Sequence, residues 1–265
     1  ELKPSHCIIA FDRKAPTFRH QLYEQYKAHR PATPQELISQ LGRVRHLAQT
    51  FNIPIFEFDG YEADDILGSL SRQASEQDIE TIIVTGDGDT MQLVTPRVKV
   101  LYPKPRRPFS DTMLYDEDAV SQKYGVGPEH IADLKALVGD PSDNIPGVSG
   151  IGEKTAIKLV CQFGGVDQIY EHIDEVTPSK LKEKLKQNEA IARKSKVLAT
   201  IVIQMPVTLN LDDCRVSNYN RQQVVQLFRE LEFSSLLPKL PEVEVVTPGA
   251  AAIEPEYKII STTSG

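Results

Sequence analysis

Eight carboxylates stand at four places in the chain of 265 residues: Asp12; Glu62, Asp64 and Asp65; Asp87 and Asp89; Asp140 and Asp143. Asp12 closes the apolar run Cys7–Phe11, and Asp87 and Asp89 follow Ile82-Ile83-Val84-Thr85-Gly86. Two bare carboxylates roughly 4 Å apart repel by about 1–4 kcal/mol at effective dielectrics between about 80 and 20, so several converging in one crevice call for cations. Oxygen donors without a His or Cys cluster favour Mg²⁺ or Mn²⁺ over zinc. A pair of such ions can stabilise the attacking and leaving oxygens of an in-line displacement at phosphorus. Each group also has a plainer reading. Glu62 to Asp65 would suit the first turn of a helix through its dipole, and Asp140 and Asp143 would suit a turn beside Pro141.

The second chemical signal is Gly147-Val-Ser-Gly150-Ile-Gly152-Glu-Lys154-Thr155-Ala. It nearly mimics a P-loop, but Glu153 separates Gly152 from Lys154 and the segment before it reads as helix and turn rather than strand. A helix-hairpin-helix fits better. Glycines permit the tight turn, and the free backbone N–H groups of the helix starting near Glu153 can hold a nucleic-acid phosphate without reading sequence, with Lys154 and Lys158 adding charge. A turn that merely joins two helices would need the same glycines.

A third signal is Thr17–Arg30, read as one helix up to Pro31. At 3.6 residues per turn, Arg19, Tyr23, Tyr26, Lys27 and Arg30 share a stripe that could neutralise an incoming phosphodiester and stack on single-stranded bases. A solvated basic face is the plainer alternative.

The elements that must position these residues follow from periodicity. Short β-branched runs at Cys7–Phe11, Ile53–Phe58, Thr81–Thr85 and Val98–Tyr102 alternate with helical patterns at Pro34–Phe51 and Ala63–Ala74. Alternating strand and helix predicts an α/β domain with a parallel sheet, whose ligands lie beyond the carboxyl ends of the strands. From Asp116 the patterns are mostly helical: Glu117–Tyr124, Pro128–Val138, Glu153–Phe163, Pro178–Lys186, Glu189–Ile203 and Arg221–Leu231. The expected division is an α/β core at 1–115, a helical subdomain at 116–240, and at 241–265 a linker whose Tyr257–Ser261 resembles the start of a further strand.

Composition narrows the class. Hydrophobic content of 40% and charged content of 25% are ordinary for a globular chain, and no apolar run approaches the roughly 18 residues of a membrane span. Cys7, Cys161 and Cys214 lack zinc spacing and no signal peptide precedes them, so a reducing cytosol is expected. A net charge of -7 argues weakly against nucleic acid, unless the cations are gathered where phosphate arrives.

Taken together, Phe-Asp-Arg-Lys-Ala-Pro-Thr-Phe-Arg at 11–19, Tyr-Glu-Ala-Asp-Asp at 61–65, Thr-Gly-Asp-Gly-Asp at 85–89, Gly-Asp-Pro-Ser-Asp-Asn-Ile-Pro-Gly at 139–147 and Gly-Ile-Gly-Glu-Lys-Thr-Ala at 150–156 resemble the 5′ nuclease domain of bacterial DNA polymerase I, in the flap endonuclease superfamily. The resemblance spans about 4–240. It implies a PIN-like or resolvase-like nuclease domain followed by a helix-three-turn-helix subdomain. The implied activity is divalent-metal-dependent cleavage at 5′ flaps, nicked duplex and RNA-primer junctions. It also implies two Mg²⁺ or Mn²⁺ ions, a K⁺ ion at the hairpin, and a monomer joined to a polymerase and working on the cytoplasmic nucleoid.

By the same resemblance Asp12, Glu62, Asp64, Asp65, Asp87, Asp89, Asp140 and Asp143 match the metal-site acids, some binding directly and some through water. Arg19, Lys27 and Arg30 match residues that contact the reacting phosphate or 5′ strand, and Gly147, Gly150, Gly152, Lys154, Thr155 and Lys158 match the duplex-holding hairpin.

Two departures matter. Gly88 stands where the family usually has Lys or Arg, so a cation is missing or supplied from elsewhere. The family also begins with a strand ending in an Asp-Gly turn, and nothing before Pro4 can be that strand. The resemblance therefore implies a central sheet short of one strand, and a chain impaired on its own in metal affinity or stability. The rival from another class is a DNA-binding module that binds flaps without cleaving them. A phosphatase or NTPase lacks a nucleotide motif and leaves the hairpin unexplained.

Overall fold

The computed structural model describes residues 2–103, 111–216 and 218–241; the linker and strand-like run expected at 241–265 lie outside the described residues, apart from Pro241. Strands β1 (Ile9–Ala10) and β2 (Ile55–Phe56) pair in parallel, Ile9 opposite Ile55. Strand β3 (Thr81–Val84) pairs in parallel with β4 (Val98–Pro103). Strand β5 (Thr112–Tyr115), which alternation did not reveal, adds to β4 in antiparallel fashion.

The expected parallel α/β sheet is thus present in two pieces, β1–β2 and β3–β4–β5, with no ladder between them among the described residues. Helix α1 (Phe18–Leu22) follows β1, α2 (Gln35–Thr50) precedes β2, and α3 (Ala63–Glu76) follows it. Ile66 and Leu70 of α3 pack on Ile8, Ala10 and Phe56, and α3 also touches β3, so one helix bridges both sheet pieces. On β3 the side chain of Ile83 is buried, whereas the alternate positions Ile82 and Val84 are 36% and 53% exposed.

The helical half contains α4 (Glu117–Tyr124), α5 (Ile131–Val138), α6 (Glu153–Phe163), α7 (Val166–Glu171), α8 (Ser179–Gln187), α9 (Glu189–Ala199) and α10 (Arg221–Glu230). Asp116 caps α4 by accepting from the Ala119 amide at 2.9 Å, and Gly125, at φ +73°, ends it. Pro128–His130 form a 3₁₀ turn rather than the start of α5. The main core joins β3 and β4 to α4–α9 through Ile83, Val100, Val120, Leu137, Val160, Ile169, Leu185 and Ala192, the larger of these side chains each worth about 1.5–3 kcal/mol of burial. A second cluster seats Leu47 and Phe51 against Tyr219, Val224 and Phe228, docking α10 beside α2.

Helix α9 stops at Ala199 instead of continuing to Ile203. The chain then runs extended across α3, where three side chains at successive helical turns catch its backbone. Asp65 accepts from Val202 N at 2.8 Å, the Ser69 hydroxyl from Met205 N at 3.1 Å, and Gln73 from Leu209 N at 2.9 Å. Further on, Cys7 N donates to Cys214 O at 2.8 Å, which returns the helical half to the first strand. No helix among the described residues is long and apolar enough to cross a membrane.

The continuous basic helix expected at Thr17–Arg30 is absent. α1 ends at Leu22, Tyr23 is extended, and Lys27 adopts φ +54°. Tertiary hydrogen bonds override local propensity: Lys27 N donates to Asp143 O at 3.0 Å, and the Asn144 amide donates to Gln25 O at 2.7 Å.

Candidate functional site

The acids reach the site from four segments of the chain. Asp12 leaves β1 and accepts from the Ala63 amide at 2.8 Å, which ties the end of the first strand to the first turn of α3. Glu62 is the N-cap of α3, and Asp64 lies in its first turn. Asp87 caps the 3₁₀ turn after β3 by accepting from Asp89 N at 3.0 Å. Asp140 and Asp143 lie in the loop after α5, only 4% and 7% exposed in reverse order, with Ser142 donating to Asp140 through both its amide (2.8 Å) and its hydroxyl (2.6 Å).

The electrostatics report how closely these acids gather. Burial, then the charges of Asp87, Asp89, Glu62 and Asp12, push the Asp64 carboxyl up to about 7. Burial also holds Asp89 above its ordinary value although Lys135 pulls the other way. Burial opposes ionisation of Asp140 too, but there Lys135 and Ser142 prevail and keep the carboxyl below the usual range.

Cations fill much of the space between the acids. Lys27 Nζ lies 2.7 Å from Glu62 Oε1 and 3.6 Å from Asp143, and Arg30 holds Asp143 Oδ1. Lys135 Nζ donates to both Asp89 and Asp140, the latter at 2.6 Å. Among the described residues no three acids converge as a ready-made cage. The donor set nevertheless suits a hard divalent ion. It is all carboxylate oxygen, and Asp64 carries repulsion from four neighbouring acids while no ion pair to it is present among the described residues.

Two expected site residues belong elsewhere. Arg19, 2% exposed, grips Asp65 with two parallel bonds of 2.7 and 2.8 Å, donates to Leu198 O and Thr200 O, and turns Nη1 to Glu62 at 3.4 Å. Asp65 is fully buried and also accepts from Glu62 N at 2.9 Å and Val202 N at 2.8 Å. Four donors saturate its two oxygens, so it has none left for a metal or its water, and Arg19 cannot meet a phosphate. Tyr26 is likewise 2% exposed and unavailable for base stacking; its hydroxyl donates to Asp143 at 2.9 Å, with Glu62 Oε2 3.1 Å away as the alternative acceptor. Lys27 and Arg30 remain partly open, at 20% and 45% side-chain exposure.

Sequence reasoning missed Lys135 and the positioning work of Tyr26. The signal for Lys135 was the vacancy at Gly88. A Cβ there would meet the Tyr124 hydroxyl at 3.3 Å, and the cation expected beside Asp87 and Asp89 arrives instead from α5.

The hairpin joins α5 to α6. Gly147 has φ +64°, and a Cβ on it would lie 2.3 Å from Gly139 N, so the loop crosses itself at a point where only glycine fits. Gly150 also has positive φ, at +75°, whereas Gly152 is an ordinary extended N-cap facing open space. Lys154 and Lys158 are exposed on α6, with Thr155 partly covered between them. Asp143 lies four positions before Gly147, so Asp140 and Asp143 share one loop with the N-terminal end of α6.

Residues 1–125 match the 5'-3' exonuclease N-terminal resolvase-like domain, and residues 126–222 match the 5'-3' exonuclease C-terminal SAM fold. DNA polymerase I of Bacillus caldotenax is 46% identical over 240 residues, covering 91% of this chain and 27% of that protein. DNA polymerase I of Chloroflexus aurantiacus is 46% identical over 247 residues, covering 92% and 26%. The chain therefore spans about a quarter of the length of these curated relatives. In structure, it resembles a bacteriophage T5 D15 flap endonuclease solved as a pseudo-enzyme-product complex with DNA and metal ions. The TM-score is 0.63 at 22% identity, over 88% of this chain and 80% of that one. That likeness establishes a common fold.

Proposed function

The chain belongs to the 5'-3' exonuclease family, and from that premise we propose that it is the 5′ nuclease part of a DNA polymerase I, hydrolysing a phosphodiester where a 5′ single strand meets duplex DNA. The observation that carries the reading is that Asp12, Glu62, Asp87 and Asp89 stand close enough to Asp64 to add to burial in raising its carboxyl to about 7, while Asp140 and Asp143 lie on the loop that leads into the hairpin. Flaps, nicked duplexes and RNA-primer junctions are the substrates. The chain acts as a monomer joined to its polymerase, on the nucleoid in the cytoplasm.

Asp12, Glu62, Asp64, Asp87, Asp89, Asp140 and Asp143 would hold two Mg²⁺ or Mn²⁺ ions. Such ions, when bound, activate water and offset charge on the leaving oxygen. Lys27 and Arg30, at the open rim, offset charge accumulating on the phosphoryl oxygens, and Lys135 takes the place of the cation absent at Gly88. Gly147, Gly150 and Gly152 shape the hairpin so that the first amides of α6, with Lys154, Thr155 and Lys158, hold duplex phosphates; a K⁺ ion belongs at the same turn.

The test is cleavage of a labelled 5′-flap DNA with Mg²⁺ or Mn²⁺, against EDTA and against Asp87→Asn. Metal-dependent product that Asp87→Asn abolishes supports a nuclease whose acids suffice as they stand. Flap binding without cleavage under either ion would leave a DNA-binding module and overturn the proposal.

A further inference from the structure

Helix α8 carries four lysines and one glutamate in nine residues, in a chain whose net charge is -7. Its lysines divide into two flanks. Leu185 is fully buried and Leu181 packs beside it on the main core, and the Tyr170 hydroxyl donates to Leu185 O at 3.1 Å, so the helix is fixed in rotation. On one side of this seam Lys182 and Lys186 turn to Asp174, with Lys186 Nζ 3.0 Å from Oδ1. On the other side lie Lys180 and Lys184, four residues apart and so about 40° apart around the helix and about 6 Å along it.

That second flank abuts the hairpin. Lys184 Nζ donates to Gly150 O at 3.3 Å, and a Cβ on Gly150 would stand 2.5 Å from the same nitrogen. One donor of the ammonium is used on the carbonyl and two remain. Lys180 is exposed and makes no hydrogen bond or ion pair among the described residues. The positive charge of the hairpin, Lys154 and Lys158 on α6, therefore continues across the turn at Gly150 onto α8.

We infer that Lys180 and Lys184 form a second phosphate-contact ridge, which extends the duplex footprint of the hairpin along α8. This rests on the reading of the chain as a DNA-acting nuclease. The partner is the phosphate backbone of double-stranded DNA, contacted without regard to sequence, because lysine ammonium groups on a helix flank act as point charges with no fixed fork for base edges. Lys182 and Lys186, already turned to Asp174 on the far flank, contribute nothing.

The experiment is a salt titration of the affinity of the 265-residue chain for a labelled blunt duplex, without divalent ions, for the wild type, K180Q/K184Q, K182Q/K186Q and K154Q/K158Q. Glutamine keeps helix propensity, and circular dichroism checks the fold. Each phosphate contact contributes about 0.9 to the slope of log affinity against log salt. K180Q/K184Q should lower that slope by about two and weaken binding roughly 10-fold or more at low salt. K182Q/K186Q should leave the slope unchanged, and K180R/K184R should retain it. A loss with K154Q/K158Q but none with K180Q/K184Q would overturn the ridge and leave the hairpin standing. Equal losses from the two α8 pairs would overturn the assignment to one flank. A wild type that does not bind duplex at all would overturn the underlying reading and the ridge with it.

Discussion

The hydroxyl of Tyr26 lies 2.9 Å from Oδ2 of Asp143, and this bond fastens the loop after α5 to the segment between β1 and α2. The same hydroxyl reaches Glu62 at 3.1 Å, so one buried phenol spans an acid from each half of the chain. Burial, then the charges of Glu62 and Asp143, raise the phenol far above its ordinary ionisation range, which keeps it a proton donor at any working pH.

Tyr26→Phe keeps the ring and removes that donor. Asp143, almost wholly buried, then loses one partner, at a cost of about 1–3 kcal/mol. The expected result is a lower urea midpoint with an unchanged slope, accompanied by weaker Mn²⁺ binding in calorimetry because Glu62 and Asp143 are no longer held in register. An unaltered midpoint would show that the bond carries no net weight.

Arg19 and Asp65 make a stronger prediction because both are buried and each is the other's main partner. Replacing either one alone strands the other charge, a loss of about 3–5 kcal/mol. Arg19→Met or Asp65→Leu should unfold at markedly lower urea, whereas the double variant should recover much of the loss. Stability of the double variant equal to the sum of the two single losses would contradict pairing. Divalent-ion stoichiometry in the double variant should match that of the wild type.

Much of this arrangement was legible from residue order, and the failures share a cause. The acid at the end of β1, the pair after β3 and the hairpin between α5 and α6 are local patterns, in which strand, turn and cap chemistry lie within a few residues. Arg19, Asp65 and Tyr26 were misread because their partners are remote. Asp65 answers to Val202 and Arg19 to Leu198 and Thr200, across a segment that periodicity assigned to α9. The helix expected through Arg30 failed for the same reason, its backbone taken by Asp143 and Asn144. Strand β5 is short and half exposed, so it carries little alternation to read.

Asp64 gives a pH dependence with a definite sign. Its carboxyl is pushed from 3.8 to about 7 in the folded chain, first by burial and then by neighbouring acids. Between those values the native state keeps a proton that the unfolded chain has released, so metal-free stability falls as pH rises from about 4 to 7, by on the order of 2–4 kcal/mol. Thermal melts in EDTA should show this decline, and Asp64→Asn should flatten it. Excess Mg²⁺ should reverse it at pH 7, because the ion binds the folded state only. A wild-type melting curve that does not move between pH 4 and 7 would remove the carboxylate cluster as its cause.

Lys135 makes the last prediction, since it stands between Asp89 and Asp140 and offsets both charges when no metal is bound. In the metal-free chain Lys135→Met leaves two largely buried acids facing each other, and the loss should be about 3 kcal/mol. A divalent ion bound by those acids supplies the missing charge, so the deficit should shrink in saturating Mn²⁺, read as the difference between melts with metal and with EDTA. Lys135→Arg should behave as wild type in EDTA if charge alone matters. The alternative is that Lys135 only packs α5 against the turn after β3. In that case the deficit would be the same with and without Mn²⁺, because packing does not respond to a cation.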